Sequence, residues 1–152
     1  MKNVIFLSLV IAIIIGSCAQ KEKKFPQGVW QMVQIQRVAN GKSRVTFPTA
    51  TNKGKITQIK MWSEKYWMFV GSNDRDTVII DAYGGGTYTL EGIKYEENIL
   101  YHNGKAWIGV INKNMTLELV NDSLVLSYHP IRASDRQIVD SVIYHEKYLR
   151  LE

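Results

Sequence analysis

From Gly28 onward, runs of five to ten β-branched and aromatic residues alternate with Gly, Asn and Asp, and no long stretch carries the 3.6-residue period of an amphipathic helix. The pattern predicts strands near residues 28–38, 54–61, 65–70, 76–82, 86–91, 93–101, 105–111, 115–120, 123–129 and 142–151. Asn40-Gly41, Asn73-Asp74, Glu91-Gly92, Asn103-Gly104 and Asn121-Asp122 separate most of them, and residues of these types accept the positive φ of tight hairpins. Pro26, Pro48 and Pro130 all fall outside the strands, as a missing amide donor requires.

Short strands joined in sequence order make an antiparallel meander, and a meander of this length closes on itself to remove its edges. The expected fold is therefore all-β, an antiparallel barrel of about 8–10 strands spanning residues 26–152. No Greek-key crossover is evident. Residues 130–140 form the one longer connection, a loop or a helical turn.

The amino-terminal segment breaks this pattern. Residues 4–15 are apolar apart from Ser8, follow Lys2, and fall short of the ~20 residues needed to cross a bilayer. They read as the hydrophobic core of a secretory signal. Directly after them Ile15-Gly16-Ser17-Cys18 resembles the lipobox of bacterial lipoproteins, in which the signal peptidase cuts before the cysteine and the thiol receives diacylglycerol. Cys18 is the single cysteine of the 152-residue chain, so neither a disulfide framework nor a cysteine zinc site competes for it. The resemblance implies a leader over 1–17, a lipidated tether over 18–25, and a protein held at the cell envelope. Ala19 after the cysteine and the basic tether of Lys21, Lys23 and Lys24 suggest the periplasmic face of the outer membrane. Loss of Lys2 lowers the formal charge of +5 by one, and what the tether leaves for the domain is too small for a nucleic-acid footprint.

Gly28-Val29-Trp30 at the first strand and Tyr148-Leu149-Arg150 in the last resemble the lipocalin and calycin pattern, a Gly-x-Trp whose indole is covered by a basic side chain. The run 86–101 is similar to a hairpin of small lipocalin-like lipoproteins from Bacteroidetes whose function is unassigned. The resemblance implies that Gly28, Trp30 and Arg150 close one end of the barrel.

Little in the chain suggests catalysis. His102, His129 and His145 fall on separate predicted strands without metal-ligand spacing, no Gly-x-Ser-x-Gly elbow occurs, and adjacent Glu96 and Glu97 face opposite sides of a strand. Gly84-Gly85-Gly86 lacks the Lys-Ser/Thr of a phosphate loop and reads as a bend or bulge. No cofactor, metal or enzymatic activity is expected. Binding is the better expectation, because alternation in the first strand sets Trp30, Met32, Gln34 and Gln36 on one face, apolar to polar along its length. Met32, Gln34, Tyr66, Met68, Tyr88 and Trp107 are the candidate ligand-binding residues, for a small hydrophobic or amphipathic molecule. The same alternation fits a barrel filled by its own side chains whose loops bind an envelope protein or a glycan. Finally, Asp76-Thr77-Val78, Asp122-Ser123-Leu124 and Asp140-Ser141-Val142 resemble the O-glycosylation acceptors of exported Bacteroidetes proteins, making Thr77, Ser123 and Ser141 candidate sugar sites. Hairpin grammar alone explains the triplets equally well.

Overall fold

The computed structural model describes residues 25–47, 58–72 and 82–151. Within them the chain forms nine strands: β1 (Gly28–Ala39), β2 (Lys42–Phe47), β3 (Gln58–Trp62), β4 (Tyr66–Gly71), β5 (Ala82–Glu91), β6 (Lys94–His102), β7 (Ile111–Val120), β8 (Ser123–Tyr128) and β9 (Val142–Arg150). β1 and β3 to β9 pair antiparallel in series, and β9 returns to β1, so eight strands close a barrel and β2 stands outside the ring.

The long β1 makes this closure possible. One edge pairs with β9 along residues 30–39, while the other is shared, with residues 28–31 on β3 and residues 35–39 on β2. Hairpins set the register as expected: Asn40 and Gly41 both take positive φ between β1 and β2, and Asn121 and Asp122 do so between β7 and β8. Alternation then decides which side chains enter the barrel. Tyr95 on β6, Leu117 on β7, Leu124 and Leu126 on β8 and Tyr148 on β9 point inward and are fully buried.

The register shifts at four places, at Ile35/Gln36 against β2, Met32/Gln34 against β9, Gly85/Gly86 against β6 and Tyr95/Glu97 against β7, and two of these bear on the site. In β1 the register shifts between Met32 and Gln34, so that Met32 lies across from buried Tyr148, Gln34 from exposed Lys147, and Ile35 from buried Glu146. Trp30 and Met32 thus face inward, but Val33 takes up the extra position and Gln34 turns outward. The expected apolar-to-polar wall does not continue past the bulge, and Gln34 is no part of the interior. At the shift between Gly85 and Gly86 the extra residue is on β6, because Gly85 pairs with Tyr101 and Gly86 with Ile99; Leu100 is the bulged position, and the glycine run lies opposite the bulge and does not itself bulge. The glycines let the strands approach: a Cβ on Gly86 would stand 1.8 Å from the Asn98 carbonyl oxygen, and one on Gly85 would stand 2.4 Å from the Tyr101 hydroxyl.

Two further elements differ from expectation. β2 was not foreseen. Residues 105–110 are no strand: Lys105–Trp107 is a 3₁₀ turn, Gly109 at φ 77° brings the chain back so that its amide donates to the Ile99 carbonyl at 2.8 Å, and β7 starts only at Ile111. The strand foreseen at 76–82 lies outside the described residues apart from Ala82, as do the Asn73-Asp74 turn and Pro48. Residues 130–140 form a loop pinned by an Ile131–Ile138 bridge and an Arg132–Asp135 ion pair of 2.6 Å.

Candidate functional site

The two ends of the barrel are built differently. At the end where β1 begins and β9 finishes, the interior is full. Trp30 is 1% exposed, its Nε1 donates to the Pro26 carbonyl at 2.8 Å, and the Arg150 guanidinium lies 4.5 Å from its ring centroid. The Gly28, Trp30 and Arg150 arrangement expected from the sequence is thus assembled, with Trp30 and Arg150 direct register partners. Above Trp30, Trp62 meets Tyr148 edge-on at 6.1 Å, and Tyr88 packs against Tyr95 at 5.7 Å. These rings plug the closed end.

Toward the other end the side chains of the described residues do not fill the space. A cavity of ≈ 200 Å³ remains, walled by Trp67, Phe69, Ile99, Trp107, Met115 and Leu126. Gln58, Lys60, Glu97, His102, Tyr128 and Glu146 supply its polar lining. Trp67 and Phe69 stack almost parallel, 6.2 Å apart with a 5° interplanar angle, and His102 bridges Phe69 and Trp107 at 5.8 and 6.1 Å.

Three ionisable groups sit in this interior, each on the inward phase of its strand. Lys60 of β3 is 4% exposed, Glu97 of β6 5% and Glu146 of β9 9%. Lys60 Nζ lies 2.7 Å from Glu97 Oε1 and 4.6 Å from the Trp67 ring centroid. The Tyr95 hydroxyl donates to the same carboxylate oxygen at 2.8 Å, and Trp62 Nε1 donates to Tyr95 at 2.8 Å. Glu146 has different company. It accepts from the Tyr128 hydroxyl at 2.8 Å and from the Tyr148 hydroxyl at 2.5 Å, and Gln58 Nε2 donates to Tyr148 at 3.1 Å. Among the described residues no Lys, Arg or His lies within 4.0 Å of Glu146.

Burial, with Glu97 nearby, holds the Tyr95 hydroxyl well above its ordinary range, and burial with Glu146 nearby does the same for Tyr128 and Tyr148. All three are therefore donors at neutral pH. His102 moves the other way. Burial lowers its imidazole, and the Gly104 amide donates to Nδ1 at 2.8 Å, so this cavity residue is neutral at physiological pH.

The sequence candidates divide between these regions. Trp107 lines the cavity, Met32 and Tyr88 belong to the packing nearer the closed end, and Gln34 lies outside as described. Tyr66 and Met68, 57% and 38% exposed, face outward, because β4 takes the opposite phase and directs Trp67 and Phe69 inward. They line a separate outer groove of ≈ 240 Å³ with Val29, Met61 and Tyr101. Sequence reasoning missed Lys60, Glu97 and Glu146. Their only signal was position, since Glu97 alternates with Tyr95 and Ile99, and Glu146 with Tyr148.

Of the sugar candidates, Ser123 is 3% exposed with its hydroxyl turned to the Asn121 carbonyl, whereas Ser141 is exposed. The folded surface thus offers Ser141 and not Ser123. Cys18 and Thr77 lie outside the described residues. Compared with known proteins, the chain matches no family model and no curated sequence.

Proposed function

We propose that this is an exported, lipid-anchored barrel of lipocalin-like type that binds a small amphipathic molecule in its interior, without catalysing a reaction. The observation that carries the binding reading is the ≈ 200 Å³ cavity at one end of a barrel whose other end is packed solid. A fold that merely filled itself would bury apolar groups there, because an ion pair and a second carboxylate are costly to desolvate unless they recognise something. The size bounds the ligand. Cavities near 150 Å³ accommodate benzene, and pockets for drug-sized molecules begin near ~300 Å³. The space among the described residues therefore suits a compact molecule.

Anchoring at Cys18, the other half of this proposal, is compatible with the binding reading. The tether enters at Phe25 and Pro26, beside Trp30 at the closed end, and residues 18–24 reach at most ~25 Å. A lipid on that tether would sit nearer the closed end than the cavity, which leaves the cavity free to open toward water-borne ligands.

Two measurements test these parts separately. Mass spectrometry of the membrane-extracted protein is expected to show an amino terminus at Cys18 carrying diacylglycerol; an unmodified Cys18 contradicts the anchor. Calorimetric screening of compact amphiphiles against the wild type and a Leu126→Trp variant is expected to give binding that the added indole abolishes. Equal binding by both variants contradicts the interior site.

A further inference from the structure

The charges in the cavity do not balance, and the imbalance specifies a ligand. Lys60 is committed to Glu97 at 2.7 Å and held over the Trp67 ring. His102 is neutral. Glu146 is left with two phenolic donors and no cation among the described residues. A carboxylate has about four lone-pair positions, so the tyrosines leave roughly two for another donor. An anion with only neutral donors in a desolvated site is stabilised further by any cation that enters.

We infer that the cavity takes a small organic monocation, an ammonium group on a compact aromatic or branched apolar body, with Glu146 as its counter-ion and Trp67, Phe69 and Trp107 as the wall for the body. This rests on the interior-binding reading above and names the ligand's chemical class. The aromatic wall suits it doubly, since rings accept both apolar surface and an adjacent cation. An anionic ligand is disfavoured, because it would meet Glu146 unscreened and find Lys60 already paired.

The test uses the intact chain in nonionic detergent micelles and three near-isosteric probes, 2-phenylethylamine, 2-phenylethanol and phenylacetate, with binding read by calorimetry against empty micelles. The amine is expected to bind at least about tenfold more tightly than the alcohol, as a charged hydrogen bond in a dry site implies, and the carboxylate least of all. Glu146→Gln, with folding checked by circular dichroism, is expected to bring amine and alcohol to equal affinity. The wild-type ranking stands as a test even if that variant does not fold. An alcohol equal to the amine, or a carboxylate bound more tightly than either, overturns the inference while leaving an interior ligand site in place. No binding of any probe overturns both.

Discussion

Arg150 lies over Trp30, its guanidinium carbon 4.5 Å from the ring centroid, across a register pair that joins the last strand of the barrel to the first. The contact therefore closes the ring of strands and covers its plugged end at once. Replacing Arg150 by Ala removes both the cation–π attraction and the packing of the side-chain stem, an expected loss of about 1–3 kcal/mol in urea unfolding. A double-mutant cycle with Trp30→Phe is expected to show coupling. Additive costs would mean that the indole is sealed by its other neighbours alone.

The interior ion pair has a sharper signature. Lys60→Met leaves Glu97 buried without a cation, and Glu97→Gln leaves Lys60 without an anion. Each is expected to cost about 3–5 kcal/mol, while the double variant recovers most of that loss because no lone charge remains. Unfolding midpoints of the four proteins decide it. Costs that add would show that Lys60 and Glu97 are each satisfied independently.

The three buried tyrosines give a pH dependence. Tyr95, Tyr128 and Tyr148 are raised by burial and by their glutamate neighbours, so above pH ~10 the unfolded chain releases protons that the barrel retains. The unfolded state then binds fewer protons, and stability falls as pH rises; below ~10 both states hold the protons and the effect vanishes. Tyrosinate absorbance from these residues is expected to appear together with the loss of β circular dichroism. Their ionisation in a barrel with unchanged circular dichroism would contradict the burial.

Much of the barrel was legible because its signals are local. Turn pairs such as Asn40-Gly41 and Asn121-Asp122 fix hairpins through backbone conformation, and Leu117, Leu124 and Tyr148 sit in alternating runs. β2 escaped notice because four of its six residues are exposed, which leaves it little apolar pattern, and it is held by the free half of one edge of β1. The phase of β4 was unreadable for the opposite reason: in Tyr66-Trp67-Met68-Phe69 both faces are apolar, and the register with β3, which sets Trp67 opposite Trp62 and Phe69 opposite Lys60, is what turns Trp67 and Phe69 inward. A bulge such as that at Val33 leaves no mark in composition, yet it inverts every side chain beyond it. The charged lining was hidden by the usual rule that Lys and Glu on strands face water.

The decisive question is whether the unfilled end of the barrel holds a small molecule. It is answered by native mass spectrometry of the protein purified from the cells that make it, in mild detergent. The expected result is a non-covalent adduct smaller than a drug-sized molecule, lost on denaturation and absent from Leu126→Trp. A wild-type protein that carries no adduct, and gains none from the amine probe at saturating concentration, would contradict it.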